Sequence, residues 1–599
     1  MPDLFAPDLF AAVRNHVLDA LRAVVPELPD DVLARVEVTP PRDPAHGDMA
    51  TNAALLAAKP AKLAPAKLAE TLAAALRAVP LISEASAAGP GFINLRLQQS
   101  TLQAVLPEIL RAGVHYGDSQ TGAGRPVNLE YVSANPTGPM HIGHCRGAVV
   151  GDALANLMQK AGFAVTREFY INDAGNQVQT LAWAAYWRYL QALGTSLTEE
   201  EFAAQVPGGL QYRGDYLVPV GEQLVATYGD RLAPGAQIAD PAQWLDLVRD
   251  FTIDAMLGEI REDLAALGVR HDVFTSERTL LASGAVDREI DVLTAQGLIY
   301  TGTLDPPKGK QLDDWEPRPQ LLFRATSFGD DVDRPLRKSD GSNTYFANDI
   351  AYHADKLARG FEILIDVWGA DHGGYVSRMR SAVKALAGNR NAGLDVLVCQ
   401  IVHVLKNGQP VRMSKRAGTY VTLRDLIEWV GRDAVRFTML MRKPDAQMEF
   451  DLDAVVAQTR ENPVFYVQYA HARCRSVLRA AVAAYGAAAV TPAALAAAPV
   501  TQLVAPSELD VMRRLMAWPR LVEGAAQARE PHRIAFFLYE LAGDFHMLWN
   551  QGKTESALRF LQAEDPAGTM ARLALVLCVA TVIRSGLAVL GVAPVEEMR

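Results

Sequence analysis

The chain has 599 residues, half of them apolar, with 58 Lys and Arg against 68 Asp and Glu and a net charge of −10. This length exceeds one hydrophobic core and predicts three to five domains, while the acidic balance excludes a surface that draws nucleic acid from every side; an RNA partner must use local basic stripes. No apolar run reads as long enough to span a bilayer, and residues 8–19 carry acids where a secretory signal is basic, so neither membrane insertion nor export is expected.

In chain order, residues 8–19 read as an amphipathic helix and 39–48 as a turn-rich stretch. Residues 50–78 read as alanine- and leucine-rich helix interrupted by Pro60 and Pro65. After a turn at 88–91, Phe92-Ile-Asn94-Leu-Arg96-Leu97 alternates as a strand does, and the glycine-rich 113–124 reads as a linker. Residues 1–112 are therefore expected to form a small α+β domain. Next come a buried strand at 126–132, a helix at 144–161 and a strand at 164–170. This βαβ unit predicts a parallel, Rossmann-type sheet. A long-helical stretch with irregular inserts follows, and strand-like runs return at 361–368 and 395–402. The sheet domain, 113–405, is thus expected to hold an insertion at about 180–340. A connecting region, 406–455, leads to an all-helical bundle at 456–599, whose alanine-rich 480–505 is either a helix–loop–helix or a flexible connector. The predicted fold class is multidomain α/β: a Rossmann-type parallel-sheet domain with an insertion, a small α+β N-terminal domain and an all-α C-terminal bundle. Cys145, Cys399, Cys474 and Cys578 are scattered without a C-x-x-C pair, which fits a reducing cytoplasm and argues against structural zinc.

Two segments carry the chemistry. Ser133-Ala134-Asn135-Pro136-Thr137-Gly138-Pro139-Met-His141-Ile-Gly143-His144 joins the first strand to its helix. A helix N-terminus there offers free N–H groups and a favourable dipole to phosphate oxygens. His141 and His144, three apart, share a helix face and can donate to the α- and γ-phosphates, and Gly143 leaves room for an adenine ring. A metal-binding or helix-capping pair is the alternative; no third and fourth ligand stands nearby, and the N-P-T-G-P turn after a strand favours phosphate. The second segment is Met413-Ser414-Lys415-Arg416, after the hairpin-like Lys406-Asn-Gly-Gln-Pro410. Lys415 is expected to neutralise charge growing on a leaving pyrophosphate; a merely solvated basic loop is the alternative, and Val404, Val411 and Val421 suggest anchorage to packed structure. Together the segments point to ATP-dependent activation of a carboxylate.

With these motifs the chain resembles the class I aminoacyl-tRNA synthetases, in which H-I-G-H and M-S-K recur, and within them the bacterial arginyl branch. Further matches are Phe169-Tyr-Ile-Asn172-Asp173-Ala-Gly175-Asn176-Gln177, Tyr212-Arg-Gly214-Asp-Tyr216, Arg337-Lys-Ser339-Asp340-Gly341, Tyr345-Phe-Ala-Asn-Asp349, Gly369-Ala-Asp371-His372 and Asn462-Pro-Val-Phe-Tyr466-Val-Gln-Tyr469-Ala-His471-Ala-Arg473. The resemblance runs from the first module to the last residue. Arg412 and Arg416 depart from the class pattern K-M-S-K-S, which leaves the division of roles on that loop open.

The resemblance implies a set of site residues. His141, His144 and Lys415 would be catalytic. Ala134, Pro136, Thr137, Gly138, Pro139, Gly143, Gly369, Asp371, His372, Met413 and Ser414 would hold ATP, with Asp371 on the ribose. Asn135, Glu277, Tyr345 and Asp349 would hold arginine, whose planar guanidinium two carboxylates recognise better than they recognise a lysine ammonium. The alternative for Glu277 and Asp349 is pairing with a neighbouring arginine such as Arg278. Asn94 in the first module would contact the tRNA elbow, and Tyr466, Tyr469, Phe545, Trp549 and Met598 the anticodon loop, where aromatic stacking contributes roughly 1–3 kcal/mol per base. Alternatively, Phe545 and Trp549, four apart, form a core stripe. The implied partners are arginine tRNA, L-arginine and ATP with Mg²⁺ as its substrate complex. No tightly bound metal or organic cofactor is expected, and the protein is expected to be a cytoplasmic monomer. The rival readings are another H-I-G-H adenylyl-transfer enzyme, which exchange with a panel of amino acids separates, and a non-catalytic RNA-binding relative, which a charging assay separates.

Overall fold

The structure, a computed structural model, describes residues 8–41, 43–304, 318–338, 340–411 and 421–598. It divides into two units: Ala123–Gln159 with Phe163–Val456, and Met1–Gly122 with Lys160–Gly162 and Ala457–Arg599.

The first unit is built on five parallel strands: β1 (Pro126–Glu130), β2 (Ala164–Ile171), β3 (Val273–Ser276), β4 (Ile363–Gly369) and β5 (Gly393–Cys399), in the spatial order β5-β4-β1-β2-β3. The central strands are buried on both faces, as at Val127, Leu129, Leu364 and Ile365, which is why they read as apolar runs rather than alternating ones. Strand order reverses between β1 and β4. In such a sheet, ligands settle outside the C-terminal edge at that reversal. Two connections leave from this edge: the turn after β1, which enters helix α1 (Ile142–Lys160), and the 3₁₀ turn Ala370–Tyr375 after β4.

Between β2 and β4 the chain makes two further bodies. Helices Asn176–Ala192, Val218–Tyr228 and Pro241–Ala266 enclose their own core, in which Tyr186 stacks on Trp244 at 3.6 Å. After β3 come the short helix Glu277–Ala282, helix Ala285–Ala295, a three-stranded antiparallel sheet and helix α2 (Tyr345–Ala358). β3 lies inside the insertion expected at about 180–340; its four half-buried residues carry neither alternation nor an apolar run. After β5, strands Val402–Lys406 and Gln409–Pro410 form the expected hairpin, with Asn407 and Gly408 at positive φ as a two-residue turn requires.

In the second unit, a four-stranded antiparallel sheet with Phe92–Leu97 inside it packs with helices at the start of the chain. The bundle contains α3 (Pro463–Tyr485), α4 (His532–Thr554) and α5 (Pro566–Leu590). Helix Gln99–Ala112 from the start of the chain packs on α5 and on helix Pro506–Met516. The glycine-rich 113–124 is not a loose linker: Tyr116 is buried, its hydroxyl donates to Leu515 O, and Trp518 Nε1 donates to Tyr116 O at 2.9 Å. The alanine-rich 480–505 resolves into the end of α3, short 3₁₀ turns and helix Pro492–Ala496. One reading needs correction: α5 is long and apolar enough to cross a membrane, but 78 % of its most apolar window is buried inside the protein, which makes it a core helix.

Candidate active site

β1 ends at Glu130, two residues earlier than expected, because Val132 (φ 72°) and Ser133 (φ 42°) turn into the left-handed region. For a β-branched residue this is a strained conformation, of the kind that functional loops retain only when their surroundings hold them. The Ser133 hydroxyl supplies part of that hold, donating to Glu130 Oε1 (2.8 Å) and accepting from Tyr170 N (3.0 Å). Tyr216, from the helical body, donates to Thr137 O (2.8 Å), and its ring lies where a Cβ on Gly138 would stand, at 3.2 Å. Ala134 and Pro136 are buried under the turn, Pro139 is half-buried, and Asn135 is exposed and donates to Gln177 Oε1 (3.2 Å).

The turn delivers His141 and His144 to the start of α1 with their rings stacked at 3.9 Å. Gly143 N donates to His141 Nδ1 (3.1 Å) and His141 N to His144 Nδ1 (3.3 Å). A backbone N–H on each Nδ1 fixes the tautomer, so both neutral rings carry their proton on Nε2, as a donor to phosphate must. Gly143 is glycine for a local reason: a Cβ there would stand 2.8 Å from the His141 ring.

The acidic residues gather beside this turn. Glu277 opens its short helix at 5 % exposure and accepts from Asn348 Nδ2 (3.0 Å). Asp349 on α2 accepts from the Tyr375 hydroxyl (2.6 Å). Among the described residues neither carboxylate forms an ion pair, and Arg278 pairs instead with Asp250 and Asp173. Burial, opposed by the Tyr375 hydrogen bond and His353 and aided by Glu130 and Glu277, raises the Asp349 carboxyl to about 6. Burial likewise raises Glu277, aided by Asp173. Two buried carboxylates that are costly to keep charged alone make a pocket that gains most from a cation. Tyr170, bound to Ser133 through its backbone, feels the charge of both Glu277 and Asp349, so turn and pocket are continuous. Beneath them Lys356 is fully buried between Glu130 (2.5 Å) and Asp366 (3.0 Å). Tyr345 opens α2 at 69 % exposure, on the helix face of Asp349 but open to solvent.

At the end of β4, Gly369 stands where a Cβ would meet Asp371 Oδ1 at 2.6 Å. Asp371 and His372 are exposed and lie 3.5 Å apart. Met413, Ser414, Lys415 and Arg416 lie outside the described residues, but both flanks of their loop are fixed. Val411 N donates to Val404 O (2.9 Å), while beyond the loop Thr422 bridges His141, and Ile142 N donates to Val421 O (3.3 Å).

In the second unit Asn94 lies half-buried on the outer face of its sheet, on the same side as exposed Phe92. On the bundle, Tyr466, Tyr469 and Trp549 are half-buried, with Arg473 above the Tyr469 ring (4.1 Å) and the Trp549 ring (4.9 Å) and bonded to His546 Nδ1 (2.9 Å). Met598 is half-buried in a tail held by His471 Nδ1 to Val595 O (2.8 Å) and Arg475 to Glu596 (2.6 Å). Phe545 is a correction: at 1 % exposure, stacked on Phe560, it packs the core and has no face to offer a base. Sequence reasoning passed over Tyr216, Tyr375 and Arg473, whose only signal was their place in or beside motifs.

The doubly wound sheet with a histidine-tipped helix at its reversal, joined to a helical bundle, defines the class: a class I aminoacyl-tRNA synthetase. Three family profiles match: the arginyl tRNA synthetase N terminal domain at 11–97, the catalytic domain of tRNA synthetases class I (R) at 105–196 and the DALR anticodon binding domain at 467–598. The chain is 61 % identical over 592 residues to the arginine–tRNA ligase of Gluconobacter oxydans, covering 99 % of this chain and 98 % of that one. It is 56 % identical over 598 residues to that of Xanthobacter autotrophicus, covering 99 % and 100 %. The solved arginyl-tRNA synthetase of Thermus thermophilus shares the fold, with a TM-score of 0.70 at 21 % identity over 98 % of this chain and 100 % of that one. This chain belongs to the arginine–tRNA ligase family.

Proposed function

We propose that the site performs the family's two-step reaction, with the residues placed above in defined roles. As a member of this family, the chain uses ATP to attach arginine to its tRNA. In the first step an arginine carboxylate oxygen attacks the α-phosphorus of ATP, brought as its Mg²⁺ complex. The new O–P bond gives arginyl-adenylate, and the bond to the β-phosphate breaks to release pyrophosphate. The carboxylate is already ionised and needs no base, so catalysis consists of positioning and charge stabilisation. His141 and His144 donate through Nε2 to phosphate oxygens. Lys415 meets the leaving pyrophosphate. Gly369 and Asp371 take the adenosine, Asn135 the α-amino end of arginine, and Glu277 and Asp349 its guanidinium. In the second step the 2′-hydroxyl of the terminal adenosine attacks the activated carbonyl and releases AMP.

The observation that carries the amino-acid assignment is the buried pair Glu277 and Asp349, free of ion pairs among the described residues and continuous with the phosphate turn. Tyr466, Tyr469, Arg473 and Trp549 suit stacking of unpaired bases, and Asn94 a contact at the tRNA elbow. In this reading the protein is a monomer that works in the cytoplasm, and light scattering on the eluting protein checks the first point. Charging of arginine tRNA is the decisive experiment, with lysine and citrulline as controls; equal charging with lysine would overturn the acidic-pocket assignment.

A further inference from the structure

Four residues share one face of α2 at helical spacing: Tyr345, Asn348, Asp349 and Tyr352. Tyr345 and Asp349 belong to the arginine pocket proposed above. Tyr352 turns inward, its hydroxyl on Glu168 (3.0 Å) and its ring on Tyr170 at 4.4 Å. Asn348 stands between them, 9 % exposed. Its Nδ2 donates to Glu277 Oε1 at 3.0 Å, which fixes the amide's orientation, because an ionised carboxylate only accepts. Its Oδ1 is left buried, and among the described residues nothing donates to it. A buried acceptor without a donor is costly to keep, and such an atom calls for an explanation. Here the explanation is chemical: a guanidinium carries five N–H donors and no acceptor, while one carboxylate accepts at most a bidentate pair.

We propose that Asn348 is a further arginine-specificity residue, whose Oδ1 accepts a guanidinium N–H while its Nδ2 holds Glu277 in place. The inference rests on the arginine pocket formed by Glu277 and Asp349. A lysine ammonium, a compact head on a stem of different reach, cannot donate to all three acceptors at once in the flat arrangement that a guanidinium offers. Asn348 thus adds a neutral acceptor to two acids and raises selectivity without adding a third negative charge that would push their protonation further up.

The test is calorimetric titration of arginine into the full-length protein, for wild type and for Asn348→Ala, Glu277→Ala and the double variant, with KM and kcat for arginine from charging assays. Asn348→Ala is expected to weaken arginine binding and raise its KM about 10- to 100-fold, the loss of one hydrogen bond to a charged group, with the KM for ATP unchanged. In the Glu277→Ala background the same substitution is expected to weaken binding again. If Asn348→Ala has no effect once Glu277 is gone, the residue only orients Glu277 and the direct contact is overturned. If Glu277→Ala itself leaves arginine binding intact, the pocket reading fails first. Asn348→Ser, which keeps a small acceptor, is expected to recover part of the affinity and guards against a variant that merely folds badly, as unchanged Tm would show.

Discussion

At the scale of single residues, the site works by controlling where protons sit. Both histidines receive a backbone N–H on Nδ1, so their Nε2 atoms carry the donor proton without any change of protonation during the reaction. Substituting His144→Ala is expected to lower kcat by about 100-fold or more with little effect on arginine binding, since the donor matters most when charge develops on phosphate; steady-state and binding measurements on the same variant check this. Asp349 gives a pH signature. Burial lifts its carboxyl to about 6, so the free enzyme holds it ionised above that pH and neutral below. A cationic substrate needs the ionised form, so kcat/KM for arginine is expected to fall about tenfold per unit as pH drops below about 6. In Asp349→Asn that inflection should vanish along with most of the affinity. Removing the Tyr375 hydroxyl in Tyr375→Phe takes away a hydrogen bond that favours the ionised acid, so the inflection should move to higher pH.

At the scale of elements, the strained turn between β1 and α1 is the feature on which most of the site depends. Gly143→Ala illustrates this: the added methyl would stand 2.8 Å from the His141 ring, so the ring must move. The expected result is a large drop in kcat with a Tm change of only a few degrees, read by charging assay and thermal melt. Much of this region was legible in the sequence. A strand, an N-P-T-G-P turn and a helix were readable because turn residues and apolar periodicity are local signals, and the hairpin at Asn407 and Gly408 was readable for the same reason. What was not legible depends on distant partners. β3 is four half-buried residues that form a strand only because β2 offers an open edge. Phe545 and Trp549 have the same spacing and chemistry, but Phe560 covers one and leaves the other partly open, and nothing in the local sequence distinguishes them. Tyr375 is a loop tyrosine until the fold brings it to Asp349.

At the scale of the whole molecule, the first and last parts of the chain form one packed unit. Asp48, in the turn-rich stretch of the first module, accepts from Leu97 N (2.6 Å) and from Arg513 Nε (2.5 Å), and Gln103 Nε2 donates to Leu503 O (3.0 Å). Asp48→Asn is expected to destabilise this unit by about 1–3 kcal/mol. Hydrogen exchange should show protection falling together in Phe92–Leu97 and Pro506–Met516; loss confined to the first segment would show that the two ends unfold separately.

The meeting of Tyr116 with Trp518 also sets a timetable for the ribosome. These partners are 402 positions apart. At typical synthesis rates the helix Gln99–Ala112 leaves the tunnel about 20–80 s before the helices that cover it exist. Through that interval Leu102, Leu106 and Ile109 wait in water with the nascent centre growing behind them, so a chaperone binding this short apolar stripe would be occupied from early in translation until helix Pro566–Leu590 has been made.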